Sequence, residues 1–232
     1  MKKHSSNRAI LILESPWELD SSDSNRSSVF PFVDGVSKYS GDIEVYHANF
    51  YDKNSFEKAL KCLCKTKFKS TIVYIAAHGY KRKICDVSLN DVLFRIGDMS
   101  KPYNITGVML GSCFVGEHTT TMEVYIEGTN IKWCAGYSNT TKWLEGTLID
   151  CSILAKMSDL DIEDFGKREN FIIQLAKAIA PFSNDFEIGK DYNEEPVRLA
   201  DSMQFVVQPV GKGNRAITNT IEVFSERDNL QL

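Results

Sequence analysis

Residues 71–79 read TIVYIAAHG and residues 105–113 read ITGVMLGSC. Each is a short apolar run rich in Ile, Val and small residues, with none of the polar alternation of a strand that has one wet face. Runs of this kind, bounded by polar turns, are predicted to be strands buried on both faces, as in a parallel sheet covered by helices. One run, Thr71 to Ala77, delivers His78, and the other, Ile105 to Gly111, leads to Cys113. Open α/β sheets gather their chemistry at the carboxyl ends of the strands, so these two endings mark where a site is to be sought.

Outward from these runs, Ala9 to Leu13 (AILIL), Ile43 to Ala48 (IEVYHA), Ile131 to Tyr137 (IKWCAGY) and Met203 to Gln208 supply further strands. Helices are predicted between them: Val29 to Tyr39, then SFEKALKCLCK after an N-cap at Asn54, with Phe56, Leu60, Leu63 and Cys64 on one face. SLNDVLFRIGDM follows, where Ser88 and Asp91 have the spacing of an N-terminal cap. The segments His118 to Glu127, KWLEGTLIDCSILAKM and FIIQLAKAIAPF complete the helices. SPWELDSSDSNRSS reads as an exposed loop, SNDFEIGKDYNEEP as acidic and irregular, and the tail after Gly211 as polar. Strands alternating with helices give an α/β fold with a mostly parallel sheet of about six strands and helices on both faces. At 232 residues the chain is expected to form a single domain, 1–232.

The net charge of -4 offers no basic excess, so direct nucleic-acid binding is not expected. No apolar segment is long enough for a membrane span, and the first apolar stretch runs into Glu14 too soon for a signal-peptide core. Cys62, Cys64, Cys85, Cys113, Cys134 and Cys151 lack both zinc-site spacing and the density of a disulfide scaffold, which points to a reduced, cytoplasmic setting with neither metal nor cofactor.

A Cys or a His alone at a strand end is more often a satisfied structural residue than a reactive one. Together they suit nucleophilic catalysis. A thiol near its ordinary pKa is mostly protonated at neutral pH and needs a base such as an imidazole, which can then protonate a leaving amine. Gly79 and Gly111 beside them allow close backbone approach, and the N–H groups of Gly79 and Cys113 are the candidate oxyanion hole. His118 reads as an exposed helix-start residue, and His47 as structural.

An apolar block ending in His-Gly, followed by one ending in Cys, resembles the caspase-like cysteine peptidases of clan CD, and the short spacing is most similar to bacterial CHAT domains. IKWCAGYSNTTKWLEGTLIDCSIL resembles the CHAT segment in which a strand leads through a tryptophan-containing loop into a helix, although Leu144 and Glu145 stand where an acidic pair often follows the tryptophan. The resemblance covers roughly residues 8–160. It implies a caspase-like three-layer sandwich and a Cys113–His78 dyad cleaving a protein substrate. It also implies a substrate pocket lined by Glu14 and Ser15 at the end of the first strand, by Tyr137, Ser138 and Asn139 after the fifth, and by Trp143. A carboxylate at Glu14 would favour a basic P1 side chain, whereas a wall of Tyr137, Ser138 and Trp143 would favour small or apolar ones. Control by a regulatory or activating protein partner, and a place in a bacterial defence system, follow from the same analogy. The segments Ser15 to Ser28 and Ser183 to Pro196 are expected to order on activation. The competing readings are a catalytically silent caspase-like interaction or regulatory subunit and a flavodoxin-like binding domain. The flavodoxin-like reading is weakened by ESPWELDSS, which stands in place of a Gly-rich phosphate loop.

Overall fold

The computed structural model describes residues 7–17, 27–183 and 185–230. Most of the loop expected to order on activation, residues 18–26, lies outside them.

In chain order the elements are β1 (Arg8–Glu14), α1 (Phe30–Ser40), β2 (Ile43–Asn49), α2 (Lys53–Leu63), β3 (Ser70–Ala76), β4 (Gly79–Tyr80), β5 (Lys83–Ile84), β6 (Val87–Ser88), α3 (Leu89–Tyr103), β7 (Ile105–Gly111), α4 (Thr119–Ile126), β8 (Trp133–Tyr137), α5 (Trp143–Asp159), α6 (Arg168–Ile179), β9 (Glu187–Lys190), β10 (Pro196–Arg198), α7 (Leu199–Ser202), β11 (Met203–Val207), β12 (Ile217–Thr218) and α8 (Thr220–Leu230). The main sheet has seven strands in the order β12-β11-β8-β7-β3-β1-β2. Five of them run parallel, while β11 is antiparallel to β8 and β12 antiparallel to β11.

Side chains alternate across each strand, and both faces are covered because both are apolar. Ile10, Ile12, Tyr74 and Met109 face Val33 of α1, Ile149 and Ile153 of α5, Phe171 of α6 and Val223 of α8. Leu11, Leu13, Val73, Ile75, Val108 and Leu110 face Phe56 and Leu60 of α2, Val92 and Ile96 of α3 and Met122 of α4. The result is three layers: helices, sheet, helices.

Two features of the sheet position its upper edge. From β1 the chain moves to one side for β2 and returns to the other side for β3. The crevice where the order reverses therefore opens at the carboxyl ends of β1 and β3. The register of β3 on β7 also shifts once: Thr71 pairs with Ile105 but Ile72 pairs with Gly107, leaving Thr106 as the extra residue. Its hydroxyl is held by the Ser70 hydroxyl at 2.7 Å. Beyond that bulge pairing is regular up to Ala76 opposite Gly111, so residues 78 and 113 stand the same two steps past one pair.

Several local expectations are corrected. Asp52, not Asn54, caps α2: its carboxylate accepts from the Ser55 backbone N–H at 2.7 Å, and the Ser55 hydroxyl returns the contact to the Asp52 N–H at 2.9 Å. The residues after His78 form a small antiparallel sheet of β4, β5 and β6. Of the acidic stretch 183–196, the described residues 185–196 lead into and build the β9–β10 hairpin, whose first strand is anchored by Thr140 N–H to Lys190 O and Lys142 N–H to Ile188 O. The polar tail contains α8, which turns Val223 inward. The edge strand β12 is met by two carboxylates of the α4 region: Glu123 accepts from Thr218 N–H, and Glu127 from Ala216 N–H, each at 2.7 Å.

Removing the true cap must weaken α2, since an orphan N–H of the first turn loses its acceptor. Asp52→Ala is expected to lower the urea midpoint and Asn54→Ala to leave it nearly unchanged; the reverse order would reinstate Asn54 as the cap.

Candidate active site

The carboxyl ends of β3 and β7 border a cavity of about 290 Å³ lined by Trp17, Tyr74, His78, Cys113, Tyr137, Thr141, Trp143 and Asp150, among others. His78 and Cys113 both belong to it. Parity explains why: they fall in step with Tyr74 and Met109, on the side of the sheet that meets α5.

His78 is oriented from two directions. Its backbone carbonyl accepts the Cys85 N–H at 2.8 Å, which ties it to the small sheet. Its ring Nε2 lies 2.7 Å from the Trp17 carbonyl oxygen, and the Trp17 indole meets the ring edge-on with centroids 5.1 Å apart. A carbonyl only accepts, so Nε2 carries the hydrogen and Nδ1 is the basic nitrogen of the neutral ring. Gly79 packs directly on the Cys113 peptide: a Cβ there would fall onto the Cys113 carbonyl oxygen and within 2.8 Å of its nitrogen. Only glycine admits this approach, which brings together the two peptide groups expected to hold an oxyanion.

Cys113 is partly buried and its Sγ accepts the Thr141 N–H at 3.3 Å. Burial pushes its thiol above the ordinary value, against the pull of Thr141, and the charge of Asp150 adds to the rise. Directly after it Phe114 takes a left-handed conformation, φ 62°, which turns the chain sharply and stacks the ring on Tyr192 at 4.2 Å between centroids.

The substrate-pocket residues divide. Tyr137 and Trp143 line the cavity; Glu14, Ser15, Ser138 and Asn139 do not. Glu14 is buried on the α1 side, where its carboxylate accepts from the Val29 N–H at 2.9 Å, the Ser28 hydroxyl at 2.7 Å and His47 Nε2 at 2.8 Å. Burial alone would raise its pKa, but the hydrogen bonds from His47, Val29 and Ser28 outweigh it and the value is lowered. Ser15 extends the β1–β3 pairing through its N–H to Ala76 O at 3.0 Å. Ser138 is engaged with the Ser202 carbonyl at 2.9 Å, and the Asn139 carbonyl accepts from Phe114 N–H at 3.1 Å. His118 lies at the start of α4 beside Glu117, outside the cavity.

The carboxylate that does face the cavity is Asp150 of α5, 2% exposed. Its Oδ2 accepts from Tyr74 OH at 2.7 Å and its Oδ1 from Tyr137 OH at 2.6 Å. Burial lifts its pKa to about 7, against the two phenols that stabilise the charge. Gly111 makes room for it, since a Cβ there would come within 2.5 Å of Oδ2. The sequence signal for Asp150 is a lone acid inside the apolar helical run TLIDCSIL. Lys142 also borders the cavity, but its ammonium is drawn to Glu187 at 3.1 Å. Among the described residues no three His, Cys, Asp or Glu side chains group to hold a metal ion, and no helix is long and apolar enough to cross a membrane.

No protein-family model matches the chain, and no curated protein matches it. Solved structures do. Caspase-1 from Spodoptera frugiperda superposes with a TM-score of 0.54 at 9% identity over 87% of this chain and 86% of its own. A secreted C11 cysteine protease from Bacteroides thetaiotaomicron, solved in complex with an irreversible peptide inhibitor, gives 0.51 at 6% identity over 87% of this chain and 66% of that one. A further structure of a secreted C11 cysteine protease from the same organism gives 0.52 at 7%, over 88% and 67%. The chain thus has a caspase-like fold and spans about two thirds of the C11 protease's length. At these identities the likeness is one of fold.

Asp150 makes stability depend on pH. An unfolded carboxyl titrates near 4, so between about pH 4 and 7 the folded state keeps a proton that the unfolded chain has shed. The stability contributed by this group therefore falls as pH rises through that window and is flat above it. Asp150→Asn is expected to gain on wild type by roughly 1–4 kcal/mol between pH 4.5 and 7.5 in urea unfolding. Parallel pH curves for the two proteins would refute this.

Proposed function

We propose that this chain is a cysteine endopeptidase, CHAT-like within the caspase-like fold, with Cys113 as nucleophile and His78 as its base and acid. The observation that carries the reading is the shared offset: both residues stand two steps past the Ala76–Gly111 pair and border one cavity. His78 Nδ1 takes the thiol proton while the Trp17 carbonyl holds Nε2–H. Sγ then bonds to the scissile carbonyl carbon, whose oxygen becomes an oxyanion facing the Gly79 and Cys113 N–H groups. The protonated imidazole returns its proton to the leaving amine, and water, deprotonated by the same ring, hydrolyses the thioester.

The cavity is the pocket for the P1 side chain. Aromatic walls from Tyr74, Tyr137 and Trp143 suit a long aliphatic stem, and Asp150 at depth suits a terminal cation, so Lys or Arg is the preferred P1 residue. Asp150 takes the role first expected of Glu14, whose oxygens are already engaged with Val29, Ser28 and His47. The wider setting carries over from the CHAT resemblance: a cytoplasmic peptidase held latent until a protein partner engages it, in a bacterial defence system. The alternative, a catalytically silent interaction subunit, draws on the raised thiol of Cys113 in this state.

Cys113→Ala and His78→Ala should each abolish peptide hydrolysis without lowering the unfolding midpoint by more than about 1 kcal/mol equivalent, since both remove chemistry rather than core volume. A P1 library read on wild type should favour Lys and Arg, more strongly at pH 8 than at pH 6 as Asp150 ionises. Glu14→Gln should cost roughly 1–3 kcal/mol of stability through its mismatched donors and leave the P1 preference in place. Turnover undiminished in Cys113→Ala would sink the peptidase reading, and a preference for Asp at P1 would sink the pocket.

A further inference from the structure

The thiol of Cys113 is opposed in ionising first by its burial and then by the carboxylate of Asp150, which shares its cavity. That carboxylate packs against Gly111, two residues before the cysteine. The other titratable or charged groups around the cavity do not supply a compensating charge. Tyr74 and Tyr137 keep their protons, since burial first and Asp150 second push both well above the ordinary phenol value. Cys151, next along α5, is pushed up to about 12 by burial and by Asp150. Lys142 is held to Glu187 at the mouth. His78 is the proton acceptor itself. Asp150 is thus the one carboxylate among the described residues lining the cavity, and its burial, 2% exposed, leaves its field less screened than that of a surface charge.

We propose that Asp150 couples substrate choice to nucleophile formation: a cationic P1 side chain seated on its carboxylate cancels the charge that opposes a thiolate at Cys113, so the matching substrate ionises the sulfur that attacks it. This rests on the peptidase reading above and deepens it. The step is a proton transfer alone. The Cys113 S–H bond breaks, its electron pair stays on sulfur, and the proton passes to His78 Nδ1. A neutral P1 residue fills the same space without this effect and meets a protonated thiol. Asp150 then acts twice on one substrate, first by binding its cation and then by ceasing to repel the thiolate. Selection by rate is thereby added to selection by affinity.

The test needs no scissile bond. The initial rate of iodoacetamide alkylation at Cys113 is followed by mass spectrometry of its peptide, at constant ionic strength, with n-butylguanidine or n-butylamine as the P1 mimic and n-pentanol as its uncharged counterpart. In wild type at pH 8 the cations should accelerate alkylation of Cys113 by roughly three- to tenfold, a shift of about half to one pKa unit. Pentanol should not accelerate it, and the gain should shrink below about pH 7, where Asp150 is protonated. Asp150→Asn should react faster without any cation and lose the response to it. The wild-type comparison stands by itself should that variant fold poorly. Alkylation that is unchanged or slowed by the cations overturns the coupling. If the P1 library still favours Lys and Arg, that result leaves the peptidase reading intact; if the library favours neither and Cys113→Ala retains activity, the peptidase reading itself has failed.

Discussion

The parallel pairing of β3 with β7 is the constraint on which the site depends. A strand advances about 3.3 Å per residue and turns each successive side chain to the other face. A slip of one residue would set Ser112, not Cys113, level with His78 and turn Cys113 into the opposite core. Register is held by apolar packing on both faces, with Tyr74 and Met109 to one side and Val73, Ile75, Val108 and Leu110 to the other. The bulge at Thr106 adds the single residue that brings Cys113 level. Neither His78 nor Cys113 contributes to that alignment, so the proposed dyad is positioned by residues other than its own two members.

Two buried carboxylates sit close to the ends of these strands and have opposite fates. Glu14 gathers donors, among them the Val29 N–H at the start of α1, where helix geometry leaves amides without internal partners. Its charge is welcome there and its pKa falls. Asp150 receives only two phenols and is itself buried, and desolvation wins. The first carboxylate is a structural knot joining β1, β2 and α1. The second keeps unsatisfied electrostatic demand, which is what a binding group for a cation requires.

The strand runs were legible because burial on both faces leaves a continuous apolar signature, and the residues that end them stood out against it. Tertiary direction was not legible. That Glu14 faces α1 while Asp150 faces the cavity follows from strand parity and from the rotation of α5, and both acids look alike as letters in apolar surroundings. Helix α8 leaves no mark in the sequence because TIEVFSERDNL buries little beyond Val223 and Arg227, too few positions for a periodic signal. The small hairpins went unread for a related reason: strands of two to four residues with mixed exposure carry no alternation to detect. The cap of α2 is not legible to the residue, since DKNS offers three capping side chains and only the reciprocal Asp52–Ser55 geometry selects among them.

At the far edge of the sheet, β12 offers the outward N–H groups that ordinarily invite another strand. Here Glu123 and Glu127 have already accepted the hydrogens of Thr218 and Ala216. A peptide or a second copy of the chain approaching this edge to extend the sheet meets occupied donors behind two negative charges. Such lateral addition is disfavoured both by hydrogen bonding and by repulsion of acidic segments. The edge, only two residues long, is also closed by helix side chains, and association through this side must first break both contacts.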